Sequence, residues 1–498
     1  MSATAWALLP PIIAIVLALL TKEVYSSLLI GIFSGAMLFC GFHPITSIET
    51  TFNIMGEKIG GNVDILLFLV FLGIIVALVT KSGASAAYGN WASRAITSKR
   101  GALLATSCLG VLIFVDDYFN CLTVGTVMRP VTDRYKITRA KLAYIIDATA
   151  APVCIIAPIS SWAAAVGSSL PENSEIDGFS LFLQTIPYNF YALFTIIFVL
   201  FLIVTGIDFS KMKALELSGE TGIDLSTAED EDTKIGHGTV MDLILPILFL
   251  IASCIIAMLY TGGLFEGENV INAFANCSSA RSLVLGSFIT ILFIFLLYIP
   301  RKIITFTEFC DCFVKGFKAM TSAIMILCLA WTLSGICSED YLNIGGFVST
   351  LVNANAFIGS LIPFLFFLIA LGLAFSTGTS WGTFGILIPI AIAIFGYNNM
   401  LVLSVAAILS GAVCGDHISP ISDTTILSSA GAQCNHITHV STQIPYAMVV
   451  AVCCGIGFLV AGLSGKGFLG FLIGIAALAI ACGIILKSCK GTQEATKA

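Results

Sequence analysis

Long apolar runs recur along the chain between short polar stretches, among them Val24–Cys40, Val63–Thr80, Pro187–Ile207, Met241–Tyr260 and Phe468–Leu486. A helix rises about 1.5 Å per residue, so such runs are long enough to cross a hydrocarbon core about 30 Å thick. Each half of the chain also holds two apolar segments that are interrupted. Between Gly101 and Val131 the run is cut by Asp116-Asp117-Tyr118-Phe119-Asn120, which leaves arms too short to span and predicts a re-entrant hairpin. A second hairpin is expected over Leu361–Phe395, cut by Ser376-Thr377-Gly378-Thr379-Ser380-Trp381-Gly382. Broken helices follow: Leu142–Leu170, interrupted at Ala150–Ser161, and Leu401–Ala430, interrupted at Gly411–Thr424. Proline removes a backbone donor and glycine weakens a helix, so both interruptions are expected to unwind where they line a cavity.

The two sets are related. Ser27-Leu28-Leu29-Ile30-Gly31 recurs as Ser282-Leu283-Val284-Leu285-Gly286, and Arg129-Pro130 as Ile388-Pro389. Pro158-Ile159-Ser160 recurs as Pro420-Ile421-Ser422, and Gln184-Thr185-Ile186-Pro187-Tyr188 as Thr442-Gln443-Ile444-Pro445-Tyr446. The near-constant spacing, 255 to 262 residues, indicates an internal duplication. With hairpins counted as zero crossings, the first half crosses five times, so the second enters from the opposite side and the repeats are inverted. The expected architecture is an all-α polytopic membrane protein. Two inverted repeats each contain a re-entrant hairpin and a broken transmembrane helix, with about eleven crossings. Residues 1–207 form the first repeat, 208–239 an acidic cytoplasmic linker, 240–463 the second repeat, and 464–498 an extra helix and tail. Placing the N-terminus outside and the C-terminus in the cytoplasm leaves only Lys58, Arg281 and Lys466, of 23 Lys and Arg, on the outer side.

Composition agrees with a lipid solvent: 58% of the 498 residues are hydrophobic and 10% charged, with a mean hydropathy of +1.01. No basic stretch precedes the first apolar run, so that run is expected to remain as a helix. Most of the 16 cysteines fall inside apolar segments and are read as free thiols. Nothing in the charge pattern suggests nucleic acid as a partner.

Ionisable groups within hydrocarbon mark candidate sites, and here the deep ones are Asp116, Asp117, Asp147, Asp416 and Asp423, with His417 beside them. No Lys or Arg is expected at that depth, Arg129 being the nearest. Carboxylates without a basic counter-ion favour a hard cation such as Na⁺, and neighbouring oxygens add ligands: Asn120, Thr123, Ser160, Ser161, Ser376, Thr377, Thr379, Ser419, Ser422 and Thr424. The metal ion is placed at Asp423, Asp116 and Asp117. Crowded carboxylates in low dielectric cannot all stay ionised, so arrival of Na⁺ expels a proton and one set of groups serves both cations. Capping of the following half-helix is the alternative for Asp423, capping of a hairpin arm for one of Asp116 and Asp117, and local hydrogen bonding for Asp147. His417 is read as a proton carrier or as a neutral histidine bonded to Asp416. Cys434, His436 and His439 have a loosely metal-like spacing without a fourth ligand, and Trp162 and Trp381 read as packing residues. A carrier fits better than a continuous pore. Neither a metal triad nor a nucleophile-base pair suggests an enzyme, and no cofactor is expected beyond the transported Na⁺ and H⁺.

The runs from Phe114 to Asn120, Ala157 to Trp162 and Gly415 to Thr424 resemble those of the NhaC family of Na⁺/H⁺ antiporters. The resemblance covers most of the chain and implies a secondary transporter of the cell membrane that exchanges Na⁺ for H⁺ by alternating access. It further implies a homodimer built on a scaffold domain, with elevator-like movement of a transport domain. It leaves open a second reading, a Na⁺- or H⁺-coupled carrier of a small organic solute such as malate, lactate or an amino acid.

Overall fold

The computed structural model describes all residues except 1–3, 22, 168–177, 219–235, 271, 272, 274–276, 339, 344–346, 348–355, 397, 421 and 496–498. The chain is built of helices. The first half comprises α1 (Leu9–Thr21), α2 (Val24–Phe39), α3 (Pro44–Gly61), α4 (Val63–Lys81), α5 (Ala84–Ala95), α6 (Lys99–Leu112), α7 (Asp117–Arg134), α8 (Arg139–Thr149), α9 (Ala151–Cys154), α10 (Ser161–Gly167), α11 (Gly178–Thr185), α12 (Phe190–Thr205) and α13 (Ser210–Ser218). The second comprises α14 (Met241–Thr261), α15 (Ser279–Tyr298), α16 (Phe306–Cys337), α17 (Ala356–Thr377), α18 (Ser380–Phe395), α19 (Asn399–Ile418), α20 (Asp423–Ala432), α21 (His436–Ser464) and α22 (Gly467–Ala495). Among the described residues eight helices are long and apolar enough to cross a bilayer, or ten if each of two bent pairs counts as one span. In one of these pairs α2 and α3 meet at 118°. All sixteen cysteines are free, and Cys108 and Cys310 are exposed.

The spacing of the sequence repeat lines up helices of the two halves. The pair α3–α4 corresponds to the long α16, the hairpin α6–α7 to α17–α18, and the broken helix α8–α10 to α19–α20. The hairpin tips share one device. Asp116 is the N-cap of α7, its Oδ1 accepting the Phe119 N–H at 2.9 Å, and Thr379 is the N-cap of α18. A capping oxygen satisfies a backbone donor that has no partner within the helix, so each tip turns without an unpaired amide there. Gly378, at φ +68°, makes the second turn in a conformation that L side chains rarely adopt.

Three features differ from the expectation. The segments α3, α5 and α13 are helical, although none of them is among the apolar runs expected to cross. In the second hairpin α17 runs for 22 residues, longer than the short arm expected of a re-entrant turn. The second break is narrower than Gly411–Thr424: α19 continues unbroken to Ile418. Its glycines serve packing instead of unwinding. A Cβ on Gly411 would lie 2.3 Å from Phe367 O, and one on Gly415 2.2 Å from Leu371 O, so this Gly-x-x-x-Gly face lets α19 lie directly against α17. Of the expected linker, residues 219–235 lie outside the described residues, whereas Asp208 is bound to the body through Lys141 at 2.6 Å.

The two halves cross where α20 packs on α7. A Cβ on Gly125 would sit 2.4 Å from the Gly431 carbonyl carbon, and one on Gly431 2.5 Å from Cys121 O. Gly125→Ala is therefore expected to lower thermal stability in detergent by about 1–3 kcal/mol, the usual cost of overpacking. Gly372→Ala, where nothing lies within 4 Å of the new Cβ, is expected to hold or raise it. Equal melting temperatures for the two variants would remove the crossing from the account.

Candidate functional site

At the tip of the first hairpin, residues 113–116 leave the helix and Asp117 opens α7. Asn120, one turn further on, spends its amide on structure: Nδ2 donates to Gly110 O at 2.6 Å, Ile113 O at 2.9 Å and Thr149 O at 3.2 Å. These bonds tie the end of α6, the tip and the end of α8 together. The first break is held in the same manner. Ser160 Oγ donates toward Cys154 O and Ala157 O and accepts the Ala163 N–H, while the Ser161 N–H reaches Val115 O at 3.0 Å.

The second hairpin and second break bring the acids of the other half. Ser380, the first residue of α18, donates its hydroxyl to Asp416 Oδ2 at 2.8 Å. Asp416 Oδ1 is buried without a partner. Ser422 caps α20 by accepting the Thr425 N–H and pairs with Thr424 Oγ1 at 3.0 Å; Ser419 Oγ donates to Phe375 O. Asp423 accepts the Thr424 N–H at 2.8 Å on one oxygen and the Tyr118 hydroxyl at 2.6 Å on the other. The Tyr118–Asp423 bond joins the first hairpin to the second broken helix.

Asp117 lies at the centre of this arrangement. It is 1% exposed, neither carboxylate oxygen has a hydrogen-bond partner, and the charges of Asp116, Asp416 and Asp423 all act on it. No salt bridge among the described residues reaches any of the four acids. A buried charge without hydrogen bonds or an opposite charge is strongly unfavourable, so the cluster requires a cation or protons. No group of three or more His, Cys, Asp or Glu among the described residues is close enough to hold a metal ion.

The remaining candidates form a second network. Asp147 Oδ2 accepts Gln443 Nε2 at 2.8 Å and lies 3.3 Å from His439 Nε2, and all three side chains are buried. Gln443 also donates to His417 O. His417 Nδ1 meets the Tyr191 hydroxyl at 2.8 Å, and its ring stacks on Tyr144 at 6.2 Å. The bond from His417 to Asp416 that the sequence left open is absent: consecutive residues of α19 serve different networks. His439 sits buried near the start of α21. Cys434 and His436 turn elsewhere, to Asn435 O and to Pro420 O with Ser429.

Two basic residues at the start of α8, Arg139 and Lys141, are also buried. Arg139 binds Asp133 at 2.8 Å and donates to Ala432 O, the C-terminal end of α20, and Lys141 binds Asp208 at 2.6 Å. Each is matched by its own carboxylate, so neither supplies the counter-charge that Asp117 lacks. Ser376 and Thr377 are half-buried at the end of α17, with Thr377 Oγ1 bonded back to Leu373 O. Trp162 and Trp381 pack against each other at 5.9 Å, both indole N–H groups buried without a partner. Tyr118, Ser380 and Gln443 were not singled out from the sequence, although Tyr118 and Ser380 lie inside the polar interruptions that drew attention to their neighbours, and His439 was weighed only for a metal-like spacing.

The sequence pattern of the Na⁺/H⁺ antiporter family matches residues 153–463. The chain belongs to the Na⁺/H⁺ antiporter family. An uncharacterized protein of Haemophilus influenzae is 39% identical over 98% of this chain and 96% of its own length. The Malate-2H(+)/Na(+)-lactate antiporter of Bacillus subtilis is 35% identical over 31% of this chain and 32% of its own. In fold the antiporter-family chain is similar to the YdaH transporter of Alcanivorax borkumensis, with a TM-score of 0.51 at 13% identity, covering 84% of this chain and 89% of that one. Family membership makes the chain a secondary transporter of the multi-pass membrane class.

The geometry separates structural from chemical roles. Asn120→Ala strands three buried carbonyls and is expected to lower the melting temperature markedly, by about 1–3 kcal/mol of stability. Asp117→Asn removes a buried charge without partners and is expected to raise it in the absence of Na⁺. A fall in stability for Asp117→Asn, measured by thermal unfolding in detergent, would mean that its carboxylate is paired after all.

Proposed function

We propose that this transporter exchanges Na⁺ for H⁺ across the cell membrane, the two cations competing for the carboxylates of Asp116, Asp117, Asp416 and Asp423. The observation that carries this reading is the Asp117 carboxylate, buried without a hydrogen bond and within the field of three other acids. Such a cluster is balanced either by protons or by a metal ion, and alternation between the two is exchange. Asp423 and Tyr118 contribute by linking the halves, so that filling the site bears on both hairpin and broken helix at once. Na⁺ and H⁺ are the cargo, and no cofactor takes part. The duplication and the resemblance support alternating access with an elevator-like movement in a homodimer.

A coupled carrier of a small organic solute is the second reading. The partial match to a malate and lactate antiporter favours it, as do the two buried indole N–H donors of Trp162 and Trp381, which suit an acceptor group on a solute.

Purified protein in liposomes decides between them. Under the first reading, Na⁺ alone drives proton movement, acidification raises the Na⁺ concentration needed for half-maximal rate, and Asp423→Asn abolishes exchange while the protein remains folded. Wild-type exchange by Asp423→Asn removes that residue from the site. Proton movement that appears only with malate, lactate or an amino acid, and with no inorganic cation, establishes the second reading instead.

A further inference from the structure

Eight buried side-chain oxygens among the described residues have no hydrogen-bond partner, and five of them belong to the first hairpin tip and the two breaks. They are both oxygens of Asp117, Oδ1 of Asn120, Oγ of Ser161 and Oδ1 of Asp416. Asn120 and Ser161 are neutral, and Asn120 is the more constrained. Its Nδ2 faces the carbonyl oxygens of Gly110, Ile113 and Thr149 at 2.6, 2.9 and 3.2 Å, so the amide has one orientation. Turned over, it would set oxygen against three oxygens. Oδ1 is thereby fixed at the opposite side of the amide, fully buried, with no donor to accept from. An acceptor taken out of water in that state lacks a positive group at its lone pairs. Ser161 is held by its main chain, whose N–H meets Val115 O at 3.0 Å. Its hydroxyl is drawn to the Asp116 carboxylate and has no further partner, which leaves the lone pairs of Oγ open.

All of these oxygens are tied to Asp117. Asn120 follows it by three residues on α7, the spacing that puts two side chains on one helix face. Val115, which anchors Ser161, precedes it by two residues in the tip. The charges of Asp116 and Asp416 act on it from the same tip and from the end of α19. Hydroxyls elsewhere in the breaks are already committed: Ser160 to Cys154 O and Ala157 O, Ser419 to Phe375 O, and Ser422 to its pairing with Thr424. We propose that Asn120 Oδ1 and Ser161 Oγ are the neutral ligands of the transported metal ion beside the Asp117 carboxylate, and that their fixed positions select Na⁺ and Li⁺ over K⁺.

Their role in transport rests on the exchange reading above. Selectivity among hard cations follows from the size of the oxygen cage and from how far it yields. The three bonds on Asn120 Nδ2 and the main-chain bond of Ser161 keep the neutral oxygens from moving apart, which penalises the larger K⁺. One amide thus has two tasks at its two ends: Nδ2 fastens the tip and Oδ1 meets the ion.

Thermal unfolding of the purified protein in detergent, titrated with NaCl, LiCl or KCl at an ionic strength held constant with choline chloride, reads the ion without transport. An ion that binds only the folded state raises the melting temperature with its concentration. The wild type is expected to be stabilised by Na⁺ and Li⁺ and hardly by K⁺. Ser161→Ala leaves the bond to Val115 in place, and is expected to need roughly tenfold to hundredfold more Na⁺ for the same rise, the worth of one contact to a charged group. Its gap between Na⁺ and K⁺ is expected to narrow. Asn120→Ser and Asn120→Asp both strand the three carbonyls, and both are expected to melt at lower temperature without ions. Aspartate keeps an oxygen at the ligand position, so Asn120→Asp is expected to respond at about tenfold less Na⁺ than Asn120→Ser. Absence of any Na⁺ response in the wild type overturns the proposal. So does a Ser161→Ala titration that overlays the wild type, or an equal loss in the two Asn120 variants. Should the Asn120 variants fail to fold, Ser161→Ala decides alone. Proton flux in liposomes tests the exchange reading separately: a wild type that binds Na⁺ but moves protons only with an organic solute ends that reading and keeps these oxygens as ligands of a coupling ion.

Discussion

A carboxylate that has no partner in a water-poor interior governs the arrangement of this molecule. Asp117 is buried with both oxygens unpaired, and three further acids act on it. Most of the polar groups nearby have a partner: Asn120 Nδ2 three carbonyls, Asp116 the Phe119 amide, Asp423 the Tyr118 hydroxyl and one oxygen of Asp416 the Ser380 hydroxyl, while Asn120 Oδ1 and the other oxygen of Asp416 are buried without one. The contrast matters, because hydrogen-bonded groups define a frame and an unpaired charge defines a demand. That demand is met by a bound cation or a proton, and the frame fixes where it is met.

Each half of the chain contributes to that frame through the other. The first hairpin supplies Tyr118 to an acid of the second broken helix, and Arg139 of α8 holds the C-terminal carbonyl end of α20. A positive group at a helix C-terminus complements the helix dipole, so α20 is secured at both ends by residues of the first half. Gly125 and Gly431 permit the close crossing that makes these reaches possible. The second network, from Asp147 through Gln443 to the backbone of His417, again joins the halves, and α19 links it to the acid cluster through the consecutive residues Asp416 and His417.

Much of the fold was legible because the membrane imposes length and hydropathy on spanning helices and makes polar interruptions conspicuous. The hairpin cut at Asp116 and the break after Thr149 stood out for that reason. Less legible were the helices α3, α5 and α13, whose mixed composition resembles a loop, and the glycines of α19. Gly411 and Gly415 looked like helix breakers because sequence alone does not show that α17 lies against them. The burial of His439, Arg139 and Lys141 was not legible either, since burial is a property of neighbours that are remote in the chain.

The sequence by itself determined that the chain is a duplicated, helical membrane protein with acids concentrated at its polar breaks, because hydropathy, proline and repeat spacing are local or periodic properties. Only the tertiary structure decided which of those polar residues are frame and which are left over. It turned Asn120, Ser160 and Ser422 into fasteners, parted His417 from Asp416, and left Asp117 unpaired. The physical reason is that a hydrogen bond depends on a partner's position to within a fraction of an ångström. For Asp423 and Tyr118 that partner lies some three hundred residues away along the chain.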